Sequence, residues 1–101
     1  MAFTYTEEWY YEAGSFTVAT GQTNRDIRAN EPTLWKSINQ ATAVRISTDQ
    51  TVTLRFNDAT YWPIVMTSSQ SPMMFDRVRV SNLYVTNASG STANMKIEIY
   101  Q

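Results

Sequence analysis

From Asn94 to Tyr100 the chain alternates polar and apolar residues without a break. Met95, Ile97 and Ile99 fall on one face; Asn94, Lys96, Glu98 and Tyr100 fall on the other. A period of two is the pattern of a strand with one buried and one wet face. The same alternation recurs through the C-terminal half. Val44 and Ile46 share a face, as do Val52, Leu54 and Phe56. No stretch reads as a helix. The expectation is an all-β fold, an antiparallel β-sandwich and jelly-roll-like, built of seven or eight short strands with polar connections. At 101 residues the chain is the size of one domain.

The connections carry register information, because opposed residues of a hairpin lie on one face. Around Thr48-Asp49-Gln50, a three-residue loop opposes Ile46 to Val52 and Val44 to Leu54. The alternative is a crossing between two sheets, where no such register applies. Pro63 cannot donate to a ladder, which makes Tyr61 to Met66 an edge or interrupted strand. Thr67 to Pro72 reads as a loop. Arg77 to Asn87 reads as the longest strand, yet Val78 and Val80 are out of phase with Leu83 and Val85. One extra residue at Ser81-Asn82, a β-bulge, repairs the phase. The same strand then forms a hairpin with the last one, opposing Val85 to Met95, Leu83 to Ile97 and Val80 to Ile99. Its turn centres on Gly90, which is free to take positive φ.

The N-terminal third is irregular and aromatic. Phe3, Tyr5, Trp9, Tyr10 and Tyr11 crowd into nine residues. Residues 1 to 12 read as an interface strand or arm. Ser15 to Thr20 reads as a short strand bracketed by Gly14 and Gly21, with Phe16 and Val18 on one face. Residues 21 to 33 are polar and loop-like, with Ile27 as a peg. Residues 34 to 38 fit either a short strand or a helical turn. Twelve residues form the expected core: Val44, Ile46, Val52, Leu54, Phe56, Val78, Val80, Leu83, Val85, Met95, Ile97 and Ile99. Their burial contributes on the order of 18 to 36 kcal/mol. The ordering entropy of such a domain is on the order of 100 to 200 kcal/mol. The remaining aromatics must therefore be buried too, in the core or between subunits.

The chain holds no histidine and no cysteine. A conventional catalytic triad, a disulfide and a thiolate metal site are thereby excluded. Glu7, Glu8 and Glu12 are close, as are Asp49 and Asp58, but an acid–base pair needs a cleft and a raised pKa. The plain reading is solvated charge. Asp49 and Asp58 also lack the spacing of a calcium loop. No enzyme, cofactor or metal is expected. A net charge of -1 gives no basic surface for nucleic acid. No apolar run approaches the ~18 residues of a membrane span, and the acidic start does not resemble a secretory leader. Asn87-Ala88-Ser89 fits a glycosylation sequon, whose plain reading is a turn. Candidate interface residues are Phe3, Tyr5, Trp9, Tyr10, Tyr11, Trp35 and Trp62, as anchors for a protein or stacking platforms for a sugar. Arg77 and Arg79 join them as outward cations suited to a partner's carboxylates.

The stretch from Thr42 to Gln101 (TAVRIST, a polar turn, TVTLRFN, a middle strand, then RVRVSNLYVTNASGSTANMKIEIY) resembles small bacteriophage virion β-sandwich proteins. These are capsid decoration (cement) and tail accessory proteins. The resemblance carries no diagnostic motif, and no functional residue transfers. It implies a non-enzymatic virion protein, made in the host cytoplasm, that self-associates, with a trimer favoured. Its docking partner would be the major capsid protein or another virion protein. Capsid decoration is the first expectation and a tail or head–tail accessory role the second. A carbohydrate-binding module using exposed Trp and Tyr is the rival from another class.

Overall fold

The computed structural model describes residues 11–101. Eight strands form two antiparallel four-stranded sheets packed face to face. The strands are β1 (Tyr11–Val18), β2 (Arg25–Asp26), β3 (Ala41–Thr48), β4 (Val52–Phe56), β5 (Ile64–Met66), β6 (Met73–Val80), β7 (Leu83–Thr86) and β8 (Ala93–Tyr100). A single helical turn, α1 (Ile27–Asn30), follows β2, and a 3-10 turn spans Ser68–Gln70. Sheet order is β1-β8-β3-β6 in one layer and β2-β7-β4-β5 in the other. The molecule is an antiparallel β-sandwich, as its periodicity predicts.

The core is where the alternation puts it. Ten of the twelve expected residues are buried, while Phe56 and Val78 are partly buried against the cluster. Phe16, Val18, Ile27, Leu34, Trp35, Ile38, Ala41, Met66 and Ala93 complete it. Ile27 is fully buried, so the polar 21–33 segment is pegged as expected.

Corners between the layers decide two connections. β3 and β4 belong to different layers, so the segment at Thr48-Asp49-Gln50 is the crossing given as the alternative to a hairpin. The expected long strand from Arg77 to Asn87 is likewise two strands, β6 and β7, in opposite layers. The phase slip at Ser81-Asn82 is real, but it marks a corner between sheets. After a corner the inward face is the opposite one, which shifts the alternation as a bulge would. The closing hairpin is therefore absent: β8 pairs with β1 and β3, and β7 with β2 and β4. Gly90 does take φ +94°, in a turn that joins the layers. β6 carries an irregularity of its own. Between Asp76 and Val80 it has two residues more than β3 has opposite, and Arg77 sits at φ +57°.

Three further points correct the reading. Gly14 does not bound a strand; it lies inside β1. A Cβ there would stand 3.0 Å from Thr33 Oγ1 and 3.3 Å from Leu34, so glycine allows the 31–40 loop to press against β1. That loop is neither strand nor helix at residues 34 to 38, yet it buries Leu34, Trp35 and Ile38. β5 is the edge strand that Pro63 demands.

Candidate functional site

The most exposed large hydrophobic side chain of the described residues is Trp62, at 89% of its accessible surface. It stands on the loop between β4 and β5, beside Tyr61 and Pro63. Burying such a ring stabilises a fold by several kcal/mol, so a bare one is informative. The loop is firmly built. Asn57 takes φ +72°, donates from Nδ2 to Arg79 O (2.7 Å) and accepts from Ser81 N at Oδ1 (2.7 Å). This fastens the loop to the β6–β7 corner. Asp58 Oδ1 accepts from Thr60 N (2.8 Å) and from the Thr60 hydroxyl (2.7 Å). The Thr60 backbone N–H first, and its hydroxyl second, hold the Asp58 carboxyl below its ordinary range. Arg55 reaches along the outer face of the sheet. Its Nε donates to Tyr61 O (3.1 Å) and its Nη1 to Asn24 Oδ1 (3.1 Å).

A hollow of about 370 Å³ opens between Arg55, Ala59, Thr60, Tyr61, Trp62 and Pro63. This lies at the lower end of the range for ligand pockets (~300–1,000 Å³). Val65, 59% exposed, follows on edge strand β5. Tyr61 (56% exposed), Trp62, Pro63 and Val65 make this loop and edge apolar, while Arg55 bonds to Tyr61 O and to Asn24, and Asp58 Oδ1 to Thr60.

Elsewhere, several charged side chains are engaged within the fold. On the outer face of the other sheet, Glu98 Oε1 pairs with Arg45 Nε (2.7 Å), and Oε2 accepts from the Tyr11 hydroxyl (3.0 Å) with Lys96 Nζ at 3.7 Å. Burial pushes the Glu98 carboxyl up, but Tyr11, Arg45 and Lys96 together hold it below its ordinary range. The hydrogen bond to Glu98, followed by burial, raises the Tyr11 phenol. The Tyr11 and Tyr100 rings lie 5.2 Å apart. At the opposite end of the sandwich, Phe16, Thr17, Ser47, Asp49, Met95 and Lys96 help line an open trough of about 500 Å³. Its carboxylate is already committed: Asp49 accepts from the Asn94 side chain and backbone N–H (both 2.8 Å), which lower its pKa.

The candidate residues thus separate. Phe3, Tyr5, Trp9 and Tyr10, with Glu7 and Glu8, lie outside the described residues. Tyr11 is half exposed but bonded to Glu98. Trp35 is corrected from surface to core: it is 5% exposed, and its indole N–H donates to Val80 O (3.1 Å). Trp62 is exposed as a platform or anchor must be, and Arg77 and Arg79 are exposed on β6. Glu12 accepts from the backbone N–H groups of Lys36 (3.1 Å) and Ser37 (2.8 Å), and so serves as a loop clamp. Asp49 and Asp58 stand beyond opposite ends of β4 and form no pair. Asn87 is fully buried, and its Nδ2 donates to Val18 O and Ser91 O (both 2.8 Å), so the sequon is a structural turn. Sequence reasoning missed the support of Tyr61, Val65 and Arg55. The available signal was Asp58-Ala-Thr-Tyr-Trp-Pro63, an Asx turn delivering two aromatics to a proline-stopped edge.

Among the described residues no group of three or more acidic side chains is placed to hold a metal. None of their helices is long and apolar enough to cross a membrane. The fold is an antiparallel β-sandwich, and among the described residues Tyr61 and Trp62 are its most exposed aromatic side chains. No family model, curated protein or solved structure matches the chain.

Proposed function

We propose that the protein is a non-enzymatic structural protein that acts by docking, and that its working surface is the Tyr61–Trp62 loop. The observation that carries this is a tryptophan 89% exposed on a loop anchored by the hydrogen bonds of Asn57, Asp58 and Arg55. Tryptophan and tyrosine are the side chains that most often anchor protein interfaces. Capsid decoration is the first assignment, and a tail or head–tail accessory role the second. The strand order β1-β8-β3-β6 over β2-β7-β4-β5 supports a jelly roll, an architecture that capsid proteins and lectins share. That is an argument by fold, not by site.

A carbohydrate module remains the second reading, because an exposed Trp62 also suits stacking on a sugar ring. Such a platform needs free polar groups beside the ring to bind hydroxyls. Arg55 Nε and Nη1 and Asp58 Oδ1 are engaged by the fold itself, and the exposed Val65 adds apolar surface beside the ring, which favours protein. The test is binding to undecorated capsid shells of the encoding virus. One copy per lattice site is expected, and Trp62→Ala should weaken binding at least ~30-fold, the loss of a hot-spot tryptophan. Bound shells should resist heat better. Absence of binding to any capsid or tail component overturns the assignment. Saturable binding on a glycan array that Trp62→Ala abolishes moves it to the sugar module.

A further inference from the structure

We propose that Tyr11 and Tyr100 form an oxidative modification site, at which a peroxidase-type oxidant and hydrogen peroxide join the two rings through a carbon–carbon bond into dityrosine. The link fastens edge strand β1 to β8. It goes beyond the docking reading and does not depend on it. The first argument is placement. Tyr11 and Tyr100 are directly opposed in the β1–β8 ladder, and directly opposed residues of an antiparallel pair share a face. Their ring centres stand 5.2 Å apart at 44°, toward the close end of the ~4.5–7 Å spacing of packed aromatic pairs. On its other side Tyr100 opposes Ala43, whose small methyl group leaves the ring room to tilt. Among the described residues no other two tyrosine rings pack together. Tyr11 is half exposed, so an oxidant in solution can reach it.

The second argument is where the proton goes. A phenol gives up an electron readily only when its proton can leave with it. The Tyr11 hydroxyl donates to Glu98 Oε2 at 3.0 Å. Arg45 Nε at 2.7 Å and Lys96 Nζ at 3.7 Å favour the charged form of Glu98, so a proton acceptor is already in place. The hydrogen bond to Glu98, then burial, then the charges of Glu98 and Tyr100 raise the Tyr11 phenol. The influence of Tyr100 sets the two hydroxyl ends near each other, and the reactive ortho carbons flank those ends. The step balances. Each ring loses one electron and its phenol proton, that of Tyr11 to Glu98 and that of Tyr100 to water. The two ring radicals pair to form one bond between ortho carbons. Those carbons each release their hydrogen as a proton, and each phenol oxygen regains one. In all, two electrons and two protons leave, and one hydrogen peroxide takes them up and becomes two waters.

The experiment treats the full-length chain with a haem peroxidase and hydrogen peroxide at low micromolar concentration, where coupling between copies is slow. The intact mass of the single chain should fall by two hydrogens, and dityrosine fluorescence should rise with it. Fragmentation of tryptic peptides should place the bond between Tyr11 and Tyr100. Tyr100→Phe keeps the ring without the phenol and should lose the link. Glu98→Gln, checked as folded, should slow linking at least ~10-fold, a modest share of the ~10²–10⁴ that a positioned proton acceptor supplies. The linked chain should unfold at a higher urea concentration than the unlinked one, because the bond restrains the unfolded state. An unchanged mass, while free tyrosine in the same mixture is coupled, overturns the inference. So does a bond that maps to any other pair, or linking in Glu98→Gln as fast as in wild type.

Discussion

Trp35 and Trp62 both stand on loops fastened to the same corner of the sandwich. The Trp35 indole donates to Val80 O, and the Trp62 loop holds Arg79 O and Ser81 N on either side of that residue. Trp35 is 5% exposed and Trp62 is 89% exposed. The first loop turns its ring inward at φ +56°, an uncommon conformation for a bulky residue that burial and a hydrogen bond offset. The second is as well bonded but keeps its ring out. Equal order with opposite burial shows that exposure of Trp62 does not follow from a loose loop. One tryptophan closes the fold; the other is left over by it, which is why function is sought there.

The comparison breaks first at Trp35. Trp35→Ala should cost about 3–5 kcal/mol, the range for emptying a buried aromatic site, with Val80 O losing its donor as well. Urea unfolding measures this, and a loss below about 1 kcal/mol would show that the 31–40 loop is not part of the core. Asn87→Ala comes next, at about 2–4 kcal/mol, because it strands the buried acceptor Val18 O and removes the bonds to Ser91 O and Ser89 N. By the same geometry, glycosylation-competent expression should leave Asn87 unmodified, as intact-mass measurement will report. Gly90→Val should cost about 1–3 kcal/mol through backbone strain alone, since nothing lies within 4 Å of a Cβ there. Gly90→Ala measured alongside tests this. If it is neutral, φ +94° is not held in solution.

These residues also show what the sequence made legible. Alternation identified the core faces because a period of two survives any topology, so Met95, Ile97 and Ile99 were placed correctly before their partners were known. Pairing was not legible. A corner between layers and a bulge both shift phase by one, and Val80-Ser81-Asn82-Leu83 contains nothing that separates them. For the site, burial was the missing quantity. Trp35 and Trp62 each sit beside polar residues and a local strand signal, but only the fold brings β1 and Val80 around Trp35. Glu98 was legible as outward and not as buried, because its neighbours Arg45 and Tyr11 come from two other strands.

Glu98 gives the next smaller effect. Its pKa in the fold lies below the ordinary carboxylate value. Its contribution is thus fully present above about pH 5 and lost as pH falls through the folded-state pKa. Asp49 and Asp58 are shifted the same way, so all three make stability fall on acidification. Glu98→Gln should flatten the stability–pH profile below about pH 5 without abolishing its slope. An unchanged profile would mean that the Tyr11–Glu98–Arg45 contacts contribute nothing net in solution.

The smallest expected effect on the fold is at Trp62, and the comparison depends on it most. Trp62→Ala should alter unfolding free energy by no more than about 0.5 kcal/mol, as surface substitutions do. Asn57, Asp58 and Arg55 should hold the loop unaided, because none of their hydrogen bonds involves the indole. The same substitution should reduce binding to a partner lattice at least ~30-fold. Trp35→Ala serves as the control, since it should lower stability while leaving binding by the folded fraction intact. If Trp62→Ala destabilises by more than about 1.5 kcal/mol, its ring is buried in solution and both tryptophans belong to the core. If it changes neither stability nor binding, the exposed ring is an ordinary surface residue, and docking must use another face.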